Sequence, residues 1–177
     1  NGKLYKKPEV KYNKDGSIDK RHSNRVSGKS SEVYPFTSEE EIASVIKVFN
    51  SRIKNAENDS QKQIACRNKM LFLIGINLGI RASDLCYLRY SFFMNNDGTF
   101  KKFYKLQPKK TKKIGKFVTL HFNQTVKKAI TDYIKEYPIN DINELGLKSR
   151  KGDGAISERA LWKIIVDVSA DAEKKKN

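Results

Sequence analysis

The sequence predicts an α+β domain that is mainly α-helical, with packed helices joined to a small antiparallel β-sheet or hairpin. Several stretches repeat apolar residues at helical spacing, whereas the region between Thr99 and His121 alternates and is interrupted by a lysine-rich turn. No internal repeat or low-complexity tract points to another architecture. The 177 residues, 38% of them hydrophobic, suffice for one ordinary core plus an arm.

Residues 1–33 form the expected arm, a basic polar linker with lysines and arginines scattered among Ser, Asn, Gly and Asp. A short hairpin around Asn13-Lys14-Asp15-Gly16 is the most structure this stretch supports. The first helix is expected over 38–55, with Thr37 and Glu40 as a capping box and Phe36 as a hydrophobic staple. Ile42, Val45, Ile46, Phe49 and Ile53 would line its apolar face. After a polar turn, a second helix over about 60–78 is apolar from Met70 to Ile76, the mark of a central, buried element. Gly79 breaks it by adopting positive φ. A short helix starts at once near Ala82-Ser83-Asp84, with Ser83 as its cap, Leu85 and Leu88 turned inward, and Arg89 and Tyr90 near its end.

Asn95-Asn96-Asp97-Gly98 is a strong turn signal, followed by a strand from Thr99 to Leu106 anchored by Phe100, Phe103 and Tyr104. Phe117 to His121 forms the second strand, and Lys109 to Lys116 is the cationic tip between them. Asn123 caps a helix with Val126, Ala129, Ile130, Tyr133 and Ile134 on one face, ending near Pro138. A loop over 138–155 leads to a last helix capped by Ser157, with Ala160, Leu161, Ile164, Ile165 and Val168 buried and Trp162 beside that face.

Lys+Arg 36 against Asp+Glu 20 gives a net charge of +16. Such an excess selects a polyanionic partner, nucleic acid first, because phosphate-bound cations release counterions. A membrane is the weaker option, since no stretch has the apolar length of a spanning helix and no signal-peptide pattern opens the chain. Cys66 and Cys86 lie in apolar helical patterns and are expected to be reduced core residues of a cytosolic protein. With His22 and His121 they make no zinc spacing, so no metal is expected.

Arg81 is placed at the break between two packed helices. A guanidinium held there needs an anion, either a bound phosphate or a neighbouring carboxylate such as Asp84, and spacing alone leaves both open.

The stretch Leu78-Gly79-Ile80-Arg81-Ala82-Ser83-Asp84-Leu85-Cys86-Tyr87-Leu88-Arg89 resembles the first conserved box of the tyrosine recombinases (phage-integrase family), T-G-L-R-x-S-E-L-x-x-L-x-W. Lys109-Lys110-Thr111 followed by Phe117-Val118-Thr119-Leu120 is similar to that family's lysine hairpin, and the order of elements also agrees. The resemblance covers about residues 34–177. It implies an enzyme that cuts and rejoins double-stranded DNA through a 3′-phosphotyrosine intermediate, needing neither cofactor nor metal. It further implies a homo-tetramer on DNA in the full-length protein, no membrane, and a cytoplasmic, DNA-associated location in a bacterial or phage-infected cell.

Carried over residue by residue, Arg81 would grip the scissile phosphate and Asp84, in place of the more frequent Glu, would buttress that arginine. Lys110, or alternatively Lys112, would be the general acid, because the hairpin turn is about one residue longer than usual. Arg89, Lys109, Lys112, Lys113 and Lys116 would contact phosphates, each competing with a plain solvated charge. Tyr90 stands near the family's Trp position. Downstream of the lysine hairpin, where the family places them, the second box, H-x-x-R, and the tyrosine nucleophile have no counterpart. Residues 34–177 are therefore expected to be the amino-terminal part of a catalytic domain, inactive alone, and Tyr133 and Tyr137 are not candidates for the nucleophile. The alternative is a non-catalytic basic DNA-binding module in which Arg81 is structural.

Overall fold

Three consecutive glutamates after a serine start the first helix, α1 (Glu39–Lys54), where they meet the positive end of the helix dipole. The computed structural model describes residues 36, 38–149 and 154–174, and Ser38–Asn177 belong to one compact unit. The expected basic arm and its hairpin lie outside the described residues. In α1 the cap falls one position later than expected: Ser38 accepts from the Glu41 amide at 3.3 Å. The run Glu39-Glu40-Glu41 satisfies a capping box from either Thr37 or Ser38, so the sequence leaves the register open. Thr37 is outside the described residues, and Phe36, the expected staple, is 39% exposed.

Asn58 caps α2 (Asp59–Leu78) by accepting from the Gln61 amide. Its four buried residues, Met70, Leu71, Phe72 and Ile74, point to two different cores. Phe72 joins Val45, Val48 and Phe49 of α1 and Val168 and Ala172 of the last helix, with the Phe49 and Phe72 rings 5.5 Å apart. Met70, Leu71 and Ile74 belong to the larger cluster that holds everything from Leu85 to Leu161. Gly79 closes α2 as expected, at φ 60°, its amide bonded to the Gly75 carbonyl.

Two four-residue helices follow, α3 (Ala82–Leu85) and α4 (Tyr90–Phe93), where one helix was expected. Leu85 and Leu88 are buried as expected, but between them the chain leaves the helical path so that Arg89 can bridge Leu145. Tyr90 accordingly begins a helix instead of ending one. The Asn95–Gly98 turn forms, with Gly98 at φ 81° and Asp97 accepting from both the amide and hydroxyl of Thr99.

Strand β1 (Phe103–Leu106) pairs antiparallel with β2 (Val118–His121), placing Phe103 opposite His121 and Leu106 opposite Val118. The strand starts later than expected, and Phe100 contributes only an isolated bridge to Met94. Phe103 is no anchor: with Leu106 and Tyr104 turned inward, the period-two pleat sends it outward, 49% exposed. Tyr104 stacks on Phe92 at 4.4 Å instead. The tip is a 3-10 helix, Lys109–Ile114, closed by Gly115 at φ 68°.

Asn123 caps α5 (Gln124–Glu136), whose Val126, Ala129 and Ile130 are buried against α2. Ser157 caps α6 (Glu158–Lys174) through the Ala160 amide. On α6, Leu161, Val168 and Ala172 are buried while Ala160 faces solvent, because its small side chain falls one step off the stripe facing α1. Between α5 and α6 the loop is organised by Glu144, which accepts from the Asn140 and Asp141 amides and from the Lys148 ammonium. The mainly helical α+β architecture is thus the expected one. No helix among the described residues is long and apolar enough to cross a membrane.

Ile130 is fully buried, so Ile130→Ala is expected to cost about 2–5 kcal/mol in urea unfolding. Trp162→Ala, at a site 66% exposed, should stay within about 0.5 kcal/mol. The Lys148 hydrogen bond, aided by the two loop amides, holds the Glu144 carboxyl below the usual carboxylate range. That stabilisation is complete above the unfolded carboxyl's value and is lost as pH falls through the lowered folded one. Protection factors of the Asn140 and Asp141 amides should therefore drop on acidification, and Glu144→Gln should remove that pH dependence.

Candidate active site

Gly75 lets the second helix approach α3 closely, since a Cβ there would meet Leu85 Cδ2 at 3.1 Å. Gly79 then turns the chain, and Arg81 takes the N-cap position of α3 in extended conformation, without a capping side chain. Its carbonyl accepts from the amides of Asp84 at 3.0 Å and Leu85 at 2.8 Å. Ser83, the expected cap, therefore lies inside the helix. The backbone of Arg81 is fixed by these bonds while its side chain is exposed, and no ion pair or hydrogen bond joins it to any described residue.

Asp84 is the buried charged residue of the described chain, 8% exposed. It was expected to buttress Arg81, but its Oδ1 accepts from the backbone amide of Lys109 at 2.9 Å, 25 residues downstream. That amide is the first of the 3-10 helix and has no side-chain cap from Pro108, so the carboxylate supplies a partner it would otherwise lack. The Lys109 ammonium sits over the Tyr87 ring, 5.0 Å from its centroid. Two contacts thus tie the lysine tip to the segment that begins at Arg81. Tyr87 was not singled out from the sequence, although an aromatic three residues after Asp84 is the available signal.

Lys110, Lys112 and Lys113 are exposed on the 3-10 helix, and Lys116 is exposed just beyond Gly115. None of the four has an ion-pair partner among the described residues. Arg89 differs. Its guanidinium donates to the Asn143 carbonyl in the loop after α5. The phenols of Tyr133 and Tyr137 are both harder to ionise than usual, Tyr137 being pushed up to about 12 by burial and then by the Asp59 carboxylate.

Two solved structures share this arrangement of elements. One is the XerA recombinase, at TM-score 0.55 and 16% identity over 83% of this chain and 45% of that one. The other is the XerH site-specific recombinase bound to its difH substrate in a pre-cleavage complex, at TM-score 0.51 and 16% identity over 90% of this chain and 44% of that one. The chain spans less than half the length of either. No protein-family model matches the sequence, and no curated protein matches it. The likeness is one of fold: a recombinase-like helical domain with a small antiparallel sheet.

Asp84→Ala should raise hydrogen exchange at the Lys109 amide and cost about 1 kcal/mol, whereas Asp84→Asn, which keeps an acceptor oxygen, should preserve most of the protection. Equal exchange in both variants and the wild type would show that the carboxylate does not hold the tip.

Proposed function

We propose that this chain is part of the catalytic domain of a tyrosine-type site-specific recombinase acting on double-stranded DNA. The observation that carries the reading is the Asp84–Lys109 hydrogen bond, which links the Arg81 turn to the lysine tip while Arg81 and Lys110 remain exposed. The fold likeness to two recombinases, one of them bound to its substrate, supports it. The alternative, a non-catalytic module with a structural Arg81, requires an anionic protein partner for that guanidinium. Among the described residues it has none.

In the proposed mechanism Arg81 donates two parallel hydrogen bonds to nonbridging oxygens of the scissile phosphate, geometry that lysine cannot copy. Charge moves onto those oxygens as the tyrosine hydroxyl attacks phosphorus, so the interaction strengthens in the transition state. Lys110 gives its proton to the departing 5′-oxygen, with Lys112 as the alternative donor. A 3′-phosphotyrosine results, and attack by a 5′-hydroxyl reverses the step without an external energy source. The nucleophile and the second basic box are contributed from outside these 177 residues, and the active assembly is a homo-tetramer on two duplexes in the cytoplasm. Lys109, Lys112, Lys113 and Lys116 neutralise backbone phosphates and position the duplex without reading its sequence. Arg89, engaged with Asn143, would have to leave that carbonyl to join them.

In a chain that includes the tyrosine, Arg81→Ala should lower covalent trapping on a nicked suicide substrate by about 10²–10³-fold and leave duplex affinity within a few-fold. Lost affinity with intact cleavage would refute its role. Lys110→Ala should abolish cleavage of a normal substrate yet cleave one with sulfur as the 5′ leaving atom, because a thiolate departs without a proton. If only Lys112→Ala shows that rescue, the acid is Lys112. Duplex affinity should fall steeply with added salt, and a flat response would exclude the phosphate contacts.

A further inference from the structure

The tip that carries Lys110 also exposes its largest apolar side chains. Ile114 is 69% exposed, Phe117 61% and Val118 45%. They surround Gly115, whose φ of 68° reverses the chain out of the 3-10 helix. A Cβ at Gly115 would meet nothing within 4 Å, so glycine serves the turn and not close packing. On the same short element Lys110, Lys112, Lys113 and Lys116 are exposed. The base of the tip is held by the Leu106–Val118 pairing and by the Asp84 bond to Lys109, so these side chains are presented on a fixed support.

Exposed apolar side chains interspersed with exposed lysines on one short segment fit a partner whose surface is anionic and whose interior is apolar. Duplex DNA and an anionic bilayer both have that character. The bilayer is disfavoured here because interfacial binding draws on the long apolar face of an amphipathic helix, and this tip offers a six-residue turn. Duplex binders, in contrast, use one or two apolar side chains as a wedge between base steps while cations hold the adjacent phosphates.

We infer that Ile114 and Phe117 form an apolar wedge that enters a groove of the duplex beside the phosphates held by the tip lysines, and partly unstacks one base step there. This rests on the DNA-acting reading above and adds to it a source of site selection. Pyrimidine–purine steps unstack most readily, so the protein would favour a duplex with such a step under the tip without hydrogen-bonding its bases.

The test compares the wild type with Ile114→Ser/Phe117→Ser and with Phe117→Leu, using duplexes that carry 2-aminopurine at a TA step or a GC step. Circular dichroism and thermal unfolding should be unchanged, since the replaced side chains are exposed. The wild type should raise 2-aminopurine fluorescence at the TA step about several-fold and bind that duplex more tightly than the GC one. The double serine variant should bind about tenfold more weakly, lose the fluorescence rise and the TA preference, and keep the salt slope, because no phosphate contact has been removed. Phe117→Leu should retain the wedge. Wild-type binding that the serine variant reproduces in affinity and fluorescence overturns the wedge alone. Wild type that binds no duplex overturns the DNA-acting reading and the wedge with it. Serine-sensitive binding to phosphatidylserine vesicles, with duplex binding unaffected, assigns the patch to a bilayer and also overturns the wedge.

Discussion

The hydrogen bond from the Lys109 amide to the Asp84 carboxylate is the constraint on which the candidate site depends. A six-residue 3-10 helix with four lysines is intrinsically poor: its bond geometry is strained, its charges repel, and its first amide has no local acceptor. Asp84 supplies a charged acceptor from a buried position on α3, which strengthens the bond relative to one made in water. The position of that carboxylate follows from the packing below it. Leu85 fits against Gly75, Gly79 reverses the chain, and the Arg81 carbonyl anchors the first turn of α3.

The same arrangement separates backbone from side chain at the cationic positions. At Arg81 and Lys109 the main chain is fixed by hydrogen bonds. At Arg81, Lys110, Lys112 and Lys113 the side chains remain in solvent. An anion arriving at the tip would meet charges carried on a fixed backbone that need not be pulled from protein carboxylates. Arg89 shows the contrary case, since its guanidinium is engaged with the Asn143 carbonyl.

Much of the fold was legible because it is written locally. The helical spacing of Val45 and Phe49, the Gly79 break, the Asn123 and Ser157 caps and the Asn95–Gly98 turn each depend on residues within one or two turns of one another. The misreadings share a different cause. Where the helix after Arg81 splits, Arg89 pairs with Leu145, and the first amide of the helical lysine tip is held by Asp84, 25 residues upstream. Neither partner can be found by local periodicity. The choice of Phe103 as an anchor failed for a simpler reason: Phe103 and Tyr104 are adjacent aromatics, only one can face the core, and composition does not say which. Arg81 and the lysine run were visible as types and positions in the sequence, but the carboxylate that links them required the tertiary structure.

The most direct measurement is a crystal structure of the protein on a duplex that mimics the intact strand. The Arg81 guanidinium and the Lys110 or Lys112 ammonium should then lie within hydrogen-bonding distance of oxygens on one backbone phosphorus, with the Lys109 amide still bonded to Asp84. Arginine and lysines on separate phosphates, or a duplex bound to a face that contains neither, would contradict it.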